Sequence, residues 1–329
     1  MKVFLGFPPQ RAAARTAVAI GNFDGVHRGH QVLLRGAADY AAAHPGVTAC
    51  ALTFEPHPKE FFCPDSAPAR ISTLRDKIAL FSRYGSEMAC VARFDRAFAD
   101  MTPEQFVSGI LKEKLHAVFV AVGSNFSFGR RGCGTAGDLR RLCAPLGIEV
   151  FAPEVLREDG DCVSSSRLRA LLAAGNLEEA ERLMGHPCTI TGRVGHGEEM
   201  GRKLGFPTLN LRPLPPGCRA RPAAEGVFAS WVCGLADRPL PSITSIGCRP
   251  TLGERLRYTC ETNVLDWRGD AYGRMIQVRL VRRLRDNRKF SGLEELRAGI
   301  RGDEAAARAF FSETQEDPGR AFTERPSNT

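Results

Sequence analysis

The stretch Val18-Ala19-Ile20-Gly21-Asn22-Phe23-Asp24-Gly25-Val26-His27-Arg28-Gly29-His30 constrains this chain more than any other. An apolar run ends at a glycine, a turn follows, and an apolar-periodic segment begins at two histidines. The pattern predicts a strand over 18–23 and a helix over 27–43, with apolar residues at 33, 34, 37, 38 and 41. Histidines at i and i+3 share one helix face. Here they stand beside the free N–H groups of a helix N-terminus, where anions bind well.

The same alternation continues to about residue 184. Strands are predicted over 47–54, 88–94, 117–122 and 148–152, and helices over 73–84, 102–114 and 138–146. Thr102 reads as an N-cap with Pro103 at the first helical position. Strands alternating with helices imply a parallel sheet wound on both sides. Ser164-Ser165-Ser166 opens a helix to about residue 174, and a second follows from Leu177 to Met184. Gly185-His186-Pro187 then breaks the pattern, so the first domain is expected to span 1–185.

From Cys188 the period becomes two. Ile276, Val278 and Leu280 alternate with Gln277 and Arg279 over 275–281, and further strands read at 226–233, 240–246 and 258–265. Gly- and Pro-rich turns between them imply an antiparallel barrel or sandwich over 186–313. Helices are predicted over 292–300 and 303–311, and 314–329 reads as a disordered tail.

Composition narrows the function. Apolar residues make up 43% and charged residues 25%, ordinary for a soluble protein. No apolar run reaches the ~20 residues of a membrane span, and the apolar N-terminus is too short for a signal segment. A cytoplasmic location is expected. The eleven cysteines form no Cys-x-x-Cys and no zinc-like spacing. They are scattered through predicted elements (Cys50, Cys90, Cys143 and Cys233 among them) and all read as free buried thiols. The net charge of +8 is spread in short clusters without interleaved aromatics. It suits phosphate-rich small substrates rather than nucleic acid. Gly132-Cys133-Gly134-Thr135-Ala136-Gly137 is a literal Gly-x-Gly-x-x-Gly, but the nearest predicted strand ends about ten residues earlier. A dinucleotide fingerprint comes straight off its strand, so this stretch reads as a mobile loop beside the nucleotide.

A strand feeding a His-x-Gly-His turn resembles the nucleotidyltransferases akin to class I aminoacyl-tRNA synthetases, which implies adenylyl transfer from ATP. Two imidazoles and a helix N-terminus stabilise the charge that builds on the α-phosphate. A phosphate acceptor is already anionic and needs no general base. The fuller pattern resembles the bacterial bifunctional riboflavin kinase/FMN adenylyltransferase (FAD synthetase) family. It runs through Gly21–His30, Leu52-Thr53-Phe54-Glu55-Pro56-His57-Pro58, Val122-Gly123-Ser124-Asn125-Phe126-Ser127-Phe128-Gly129 and Val163-Ser164-Ser165-Ser166-Arg167-Leu168-Arg169. The resemblance implies that His27 and His30 act in catalysis. It places Gly21, Phe23, Gly29, Asn125, Ser164, Ser165 and Arg169 at ATP, with Ser166 where threonine is usual. By chemistry alone, three hydroxyls at a helix start and an arginine make an anion site, and Arg167 serves as well as Arg169.

The second half carries its own constellation. Between Gly192 and Gly205 lie five glycines in fourteen residues (Gly192, Gly195, Gly197, Gly201, Gly205), with Arg202 and Lys203. Backbone there can approach phosphates closely, yet no Walker A loop is present. Thr208 and Asn210 face one side of an extended segment, and two neutral oxygens suit Mg²⁺. Gly205-Phe206-Pro207-Thr208-Leu209-Asn210 resembles the flavokinase signature Gly-Phe-Pro-Thr-x-Asn. Gly226-Val227-Phe228-Ala229, Ile246-Gly247-Cys248-Arg249-Pro250-Thr251, Glu261-Thr262-Asn263, Tyr272-Gly273 and Leu284-Arg285-Asp286 through Phe290 follow in order. The resemblance implies a β-barrel kinase with Glu261 as general base on the riboflavin 5′-hydroxyl. It puts ATP at Gly192, Gly197, Gly201, Arg202, Gly205 and Thr208, and flavin at Arg285 and Phe290. Asn263 replaces the family's usual histidine, Phe228 a tyrosine and Asn287 an acid, and Ser245 stands where asparagine is common.

The resemblance covers about residues 16–312. It implies phosphorylation of riboflavin to FMN and adenylylation of FMN to FAD, with ATP as co-substrate of both and a monomer or weak homo-oligomer as the assembly. A rival enzyme reading adenylylates another phosphorylated acceptor, such as a pantetheine or nicotinate nucleotide, and leaves the second constellation unexplained. A basic RNA-binding protein would show steeply salt-dependent binding. A flavin-responsive regulator with dead sites runs against two intact motif sets.

Overall fold

The computed structural model describes residues 1–9, 14–197, 201, 205–212, 220–250 and 256–314, without the side chains of 248–250, 256 and 257. The chain divides into two compact units, residues 1–67 with 77–164 and residues 68–76 with 165–329.

The first unit holds strands β1 (Lys2–Leu5), β2 (Arg15–Ile20), β3 (Val47–Glu55), β4 (Met88–Arg93) and β5 (Ala117–Ala121). It continues with the short pairs β6 (Ser127–Phe128) with β7 (Gly134–Thr135) and β9 (Arg157–Glu158) with β10 (Asp161–Cys162), and with β8 (Glu149–Phe151). The main sheet runs β1-β4-β3-β2-β5-β8, every pair parallel. Strand β3 is Val-Thr-Ala-Cys-Ala-Leu-Thr-Phe-Glu and mostly buried, as a strand covered on both faces must be. One face packs on Leu33, Leu34 and Ala37 of the helix Arg28–Ala43 and on Phe81 and Tyr84. The other packs on Phe106, Ile110, Leu111 and Leu139. The doubly wound parallel sheet read from the sequence is therefore present.

Besides short elements that carried no periodicity, two differences from expectation bear on the core. Strand β1 was not anticipated; it is a short edge strand paired only through β4, far along the chain. The predicted helix over 102–114 opens as expected, with Thr102 Oγ1 accepting from Gln105 N at 3.2 Å. From Phe106 to Lys114 it widens to a π-helix, ending with Leu115 N donating to Ile110 O. The wider winding keeps Phe106, Val107, Ile110 and Leu111 all buried.

In the second unit, the helices Ser165–Ala174 and Leu177–Met184 precede six strands. These are β11 (Thr189–Gly195), β12 (Leu209–Arg212), β13 (Gly226–Cys233), β14 (Leu240–Pro250), β15 (Leu256–Val264) and β16 (Met275–Arg285). They form a closed barrel, β11-β12-β15-β14-β13-β16, with β16 pairing back onto β11. All pairs are antiparallel, and the closure of β16 onto β11 makes the fold a barrel and not a sandwich. Its strands alternate. Ser230, Ser242, Thr244 and Thr262 point one way and form a fully buried chain of hydroxyls, each link 2.7–2.9 Å. Val227, Ala229 and Ile243 point the other way, onto Ala307, Phe310 and Phe311 of the helix Leu293–Glu313.

That helix is one element where two were expected. Asp303, read as the start of a second helix, instead accepts from Arg285 Nε at 2.7 Å and Nη2 at 2.8 Å. Its carboxylate is committed to the barrel and caps nothing. The helices over 165–184, read with the first domain, group with the second unit. Glu181 explains this: it pairs with Arg279 of β16 at 3.2 Å and accepts from Cys188 N at 2.9 Å. Of the expected tail at 314–329, residues 315–329 lie outside the described residues.

Candidate active sites

In an open parallel sheet, ligands bind at the carboxyl ends of the strands where strand order reverses. Here that point lies between β2 and β5. Strand β2 ends at Ile20 and releases Gly21 to His27, while β5 ends at Ala121 and releases Val122 to Phe128. Gly21, Asn22 and Asn125 line one cavity of about 360 Å³. The opposite wall is aromatic, including Phe54, Phe62, Phe98, Phe126 and Phe128.

The histidine turn is tightly organised. His27 caps the helix, its Nδ1 accepting from His30 N at 3.3 Å, and the two rings stack with centroids 3.6 Å apart at 16°. Phe23 is fully buried, edge-on to His30 and to Phe81, each at 5.2 Å. Phe23 (φ 51°) and Val26 (φ 36°) sit in the left-handed region that non-glycine residues rarely occupy. Such strain clusters at functional sites. A Cβ on Gly29 would come 3.2 Å from the His27 ring, and one on Gly21 would come 3.3 Å from Phe23. Both glycines make room for rings.

Ser164 ends the first unit, and Ser165 opens the helix that begins the second. Of the two arginines left open by sequence, Arg167 pairs with Glu179 at 3.1 Å. Arg169 Nε donates to Ala69 O at 2.6 Å, tying the 68–76 segment to the serine helix. The Gly132–Gly137 stretch is no dinucleotide fingerprint: Gly134 lies in a hairpin with Phe128, and Gly132 lines the aromatic cavity.

On the barrel, cross-strand register gathers residues distant in sequence. Gly195, Asn210, Glu261, Ser245, Val227 and Arg285 form one row across all six strands. Four of them, Glu261, Ser245, Val227 and Arg285, line a cavity of about 570 Å³ between the barrel wall and the helix Leu293–Glu313. Gly201, Thr208 and Phe290 line it too. Phe290 lies under Arg288 at 4.8 Å and Arg285 at 5.5 Å. Thr208 also borders a second cavity of about 520 Å³, together with Asn210, Trp267 and Tyr272. Tyr272 stacks on His196 at 4.1 Å.

Two family models match this architecture: FAD synthetase over residues 10–167 and riboflavin kinase over 184–311. The chain is 41% identical over 310 residues to the bifunctional riboflavin kinase/FMN adenylyltransferase of Escherichia coli (strain K12), covering 93% of this chain and 95% of that one. This chain belongs to the bifunctional riboflavin kinase/FMN adenylyltransferase family. The member from Pseudomonas fluorescens is 37% identical, over 94% of this chain and 97% of its own. Among solved structures, a macrolide-efflux protein from Streptococcus pneumoniae has a TM-score of 0.71 at 27% identity, covering 94% of this chain and 99% of that one. No helix among the described residues is long and apolar enough to cross a membrane.

The family's glycines divide by role here. Gly197 faces the Asn210 amide so closely that a Cβ would displace it, and Gly205 has φ +89°. A Cβ on Gly192 would come 3.4 Å from the Arg212 backbone, and the residue lines neither barrel cavity. Arg202 and Lys203 lie outside the described residues. The departures from the family pattern have clear tasks. Asn263 donates to Pro207 O at 2.7 Å, holding the strand entry beside Thr208. Asn287 donates to Ile246 O at 2.7 Å, in space left by Gly247. Phe228 is fully buried. Sequence reasoning missed the aromatic wall, Asp303 and the Trp267–Tyr272 cavity. Its one available signal for the wall was the density of phenylalanine over 54–62 and 94–106.

The nine described cysteines are free. Burial pushes the thiols of Cys143 and Cys233 up to about 11 and that of Cys260 to about 12. Cys63, Cys133 and Cys162 are exposed, against the expectation of buried thiols throughout.

Proposed function

We propose that residues 1–185 adenylylate FMN at the β2–β5 switch point and that residues 186–313 phosphorylate riboflavin on the barrel wall. The family's two reactions are consecutive. Riboflavin and ATP give FMN; FMN and a second ATP give FAD and pyrophosphate. One observation carries the assignment of sites. The barrel cavity presents a carboxylate, Glu261, on the row with Arg285, whereas no Asp or Glu is among the described residues lining the switch-point cavity. A hydroxyl nucleophile needs a base to take its proton. A phosphate nucleophile does not.

In the barrel, Glu261 takes the 5′-hydroxyl proton, while Arg285 and Phe290 hold the flavin. The resemblance assigns ATP to Gly192, Gly197, Gly201, Arg202, Gly205 and Thr208, and the cavity that Thr208 shares with Asn210 is the one we assign to it. Thr208 borders both cavities, where the transferred phosphoryl must pass. Thr208 and Asn210 fit Mg²⁺: two neutral oxygens, one of them the Asn210 amide that the bare Gly197 leaves room for. When bound, the ion offsets charge on the transferring phosphoryl group.

At the switch point, His27 and His30 stabilise the α-phosphate as charge builds, with Gly21, Phe23 and Gly29 shaping the turn. The family resemblance also assigns Asn125, Ser164, Ser165 and Arg169 to ATP. The aromatic wall suits an isoalloxazine ring, which stacks on aromatic faces. The distributed positive charge favours phosphorylated substrates without nucleic acid, and we read the enzyme as cytoplasmic and as a monomer or weak homo-oligomer.

The test is product analysis with riboflavin, ATP and Mg²⁺. FMN should appear first and FAD after it. His30→Ala should stop at FMN. Glu261→Ala should form no FMN yet still convert supplied FMN to FAD. Loss of both activities in either variant would break the division of labour.

A further inference from the structure

Of the two residues between the histidines, Arg28 and Gly29, the reading above gives Arg28 no task. Arg28 is the first residue of the helix Arg28–Ala43. A cation there opposes the positive end of the helix dipole. Its partner is Glu158 of the β9–β10 hairpin, with Arg28 Nη1 2.8 Å from Glu158 Oε1. The carboxylate is 18% exposed and the guanidinium 49%. The hairpin turns through Asp159 (φ 54°) and Gly160 (φ 83°). Val163 N donates to Leu156 O at 2.9 Å and closes its base. The Val163 carbonyl sits against Gly29, 3.7 Å from where a Cβ would be. One ion pair and one close backbone approach therefore join the hairpin and the residue after it to the turn, and Ser164 follows directly.

We propose that Arg28 and Glu158 are a positioning pair for adenylyl transfer. The pair holds the hairpin on the His-x-Gly-His turn and so sets where the serine motif begins. This rests on the reading that the turn and the serine motif hold the ATP phosphates. Arg28 also offsets the negative charge of Glu158, which repels an incoming triphosphate. An unpaired Arg28, in turn, would be free to draw the triphosphate out of line.

The test measures KM for ATP and kcat with FMN as acceptor, with riboflavin phosphorylation on the same samples reporting a folded chain. Arg28→Ala and Glu158→Ala are each expected to raise KM for ATP about tenfold with a smaller change in kcat, the mark of a misplaced binding group. The double variant should be no worse than either single, because both remove one pair. Glu158→Gln, which keeps the acceptor, should fall between. KM for ATP within twofold of the parent would overturn the proposal. So would a lower KM in Glu158→Ala, which makes Arg28 a phosphate ligand that Glu158 withholds, or additive losses in the double variant. His30→Ala run in parallel separates the two levels. If it abolishes FAD formation while the Glu158 variants behave as parent, the pair alone is rejected. If it leaves FAD formation intact, the ATP reading falls and the pair with it.

Discussion

Single atoms decide much at both sites. Gly29 is the clearest case, since a methyl there meets the His27 ring at 3.2 Å. Gly29→Ala is expected to lower adenylyl transfer on the order of 10²-fold, the scale of a displaced catalytic group, and to leave riboflavin phosphorylation at the parent rate. Steady-state assays of both reactions check this. Glu261→Gln keeps size and polarity but takes no proton, so kcat for FMN formation should fall about 10²–10⁴-fold. Asp76 offers a pH test. It is buried, accepting from Thr73 Oγ1 at 2.6 Å and Thr191 N at 3.2 Å, and burial raises its carboxyl above the usual range. A raised folded value stabilises the fold fully below the unfolded value of about 3.9, and that contribution is lost as pH rises through the folded one. Asp76→Asn cannot ionise. Its urea midpoint should gain on the parent from about pH 4 upward; a gap that shrinks as pH rises would mean the hydrogen bonds outweigh burial.

Elements were legible wherever their pattern was local. Thr102, Pro103 and the apolar periodicity of 28–43 announced their helices, and 226–233 was read to the residue. The failures share a cause. Strand β1 is a strand because β4 pairs with it, and Asp303, read as a helix start, lies within the helix Leu293–Glu313 and is held there by Arg285. Neither partner is near in sequence. The same pair yields a prediction at this scale: Asp303→Ala should lower stability by about 2 kcal/mol, a charged double hydrogen bond, in denaturant unfolding. It should also raise KM for riboflavin, since the freed Arg285 no longer keeps its place over Phe290.

Across the whole molecule, the two chemistries predict a time course. With riboflavin as substrate, FMN should accumulate before FAD, and FAD formation should show a lag that vanishes when FMN is supplied; chromatography of timed samples checks it. The sequence by itself was enough for the reactions. His27 and His30 lie within one turn, and Gly205 to Asn210 within one strand entry, so their chemistry survives as a linear pattern. Glu261 was assigned the same way, from the resemblance carried by Glu-Thr-Asn. The tertiary structure alone decided what surrounds them. Register places Asn210, Glu261, Ser245 and Arg285 in one row, from four different strands. Strand order puts Gly21 and Asn125 on one cavity, and packing closes that cavity with phenylalanines. A motif is a short-range property of the chain, whereas a cavity wall is the sum of long-range pairings that no local periodicity encodes.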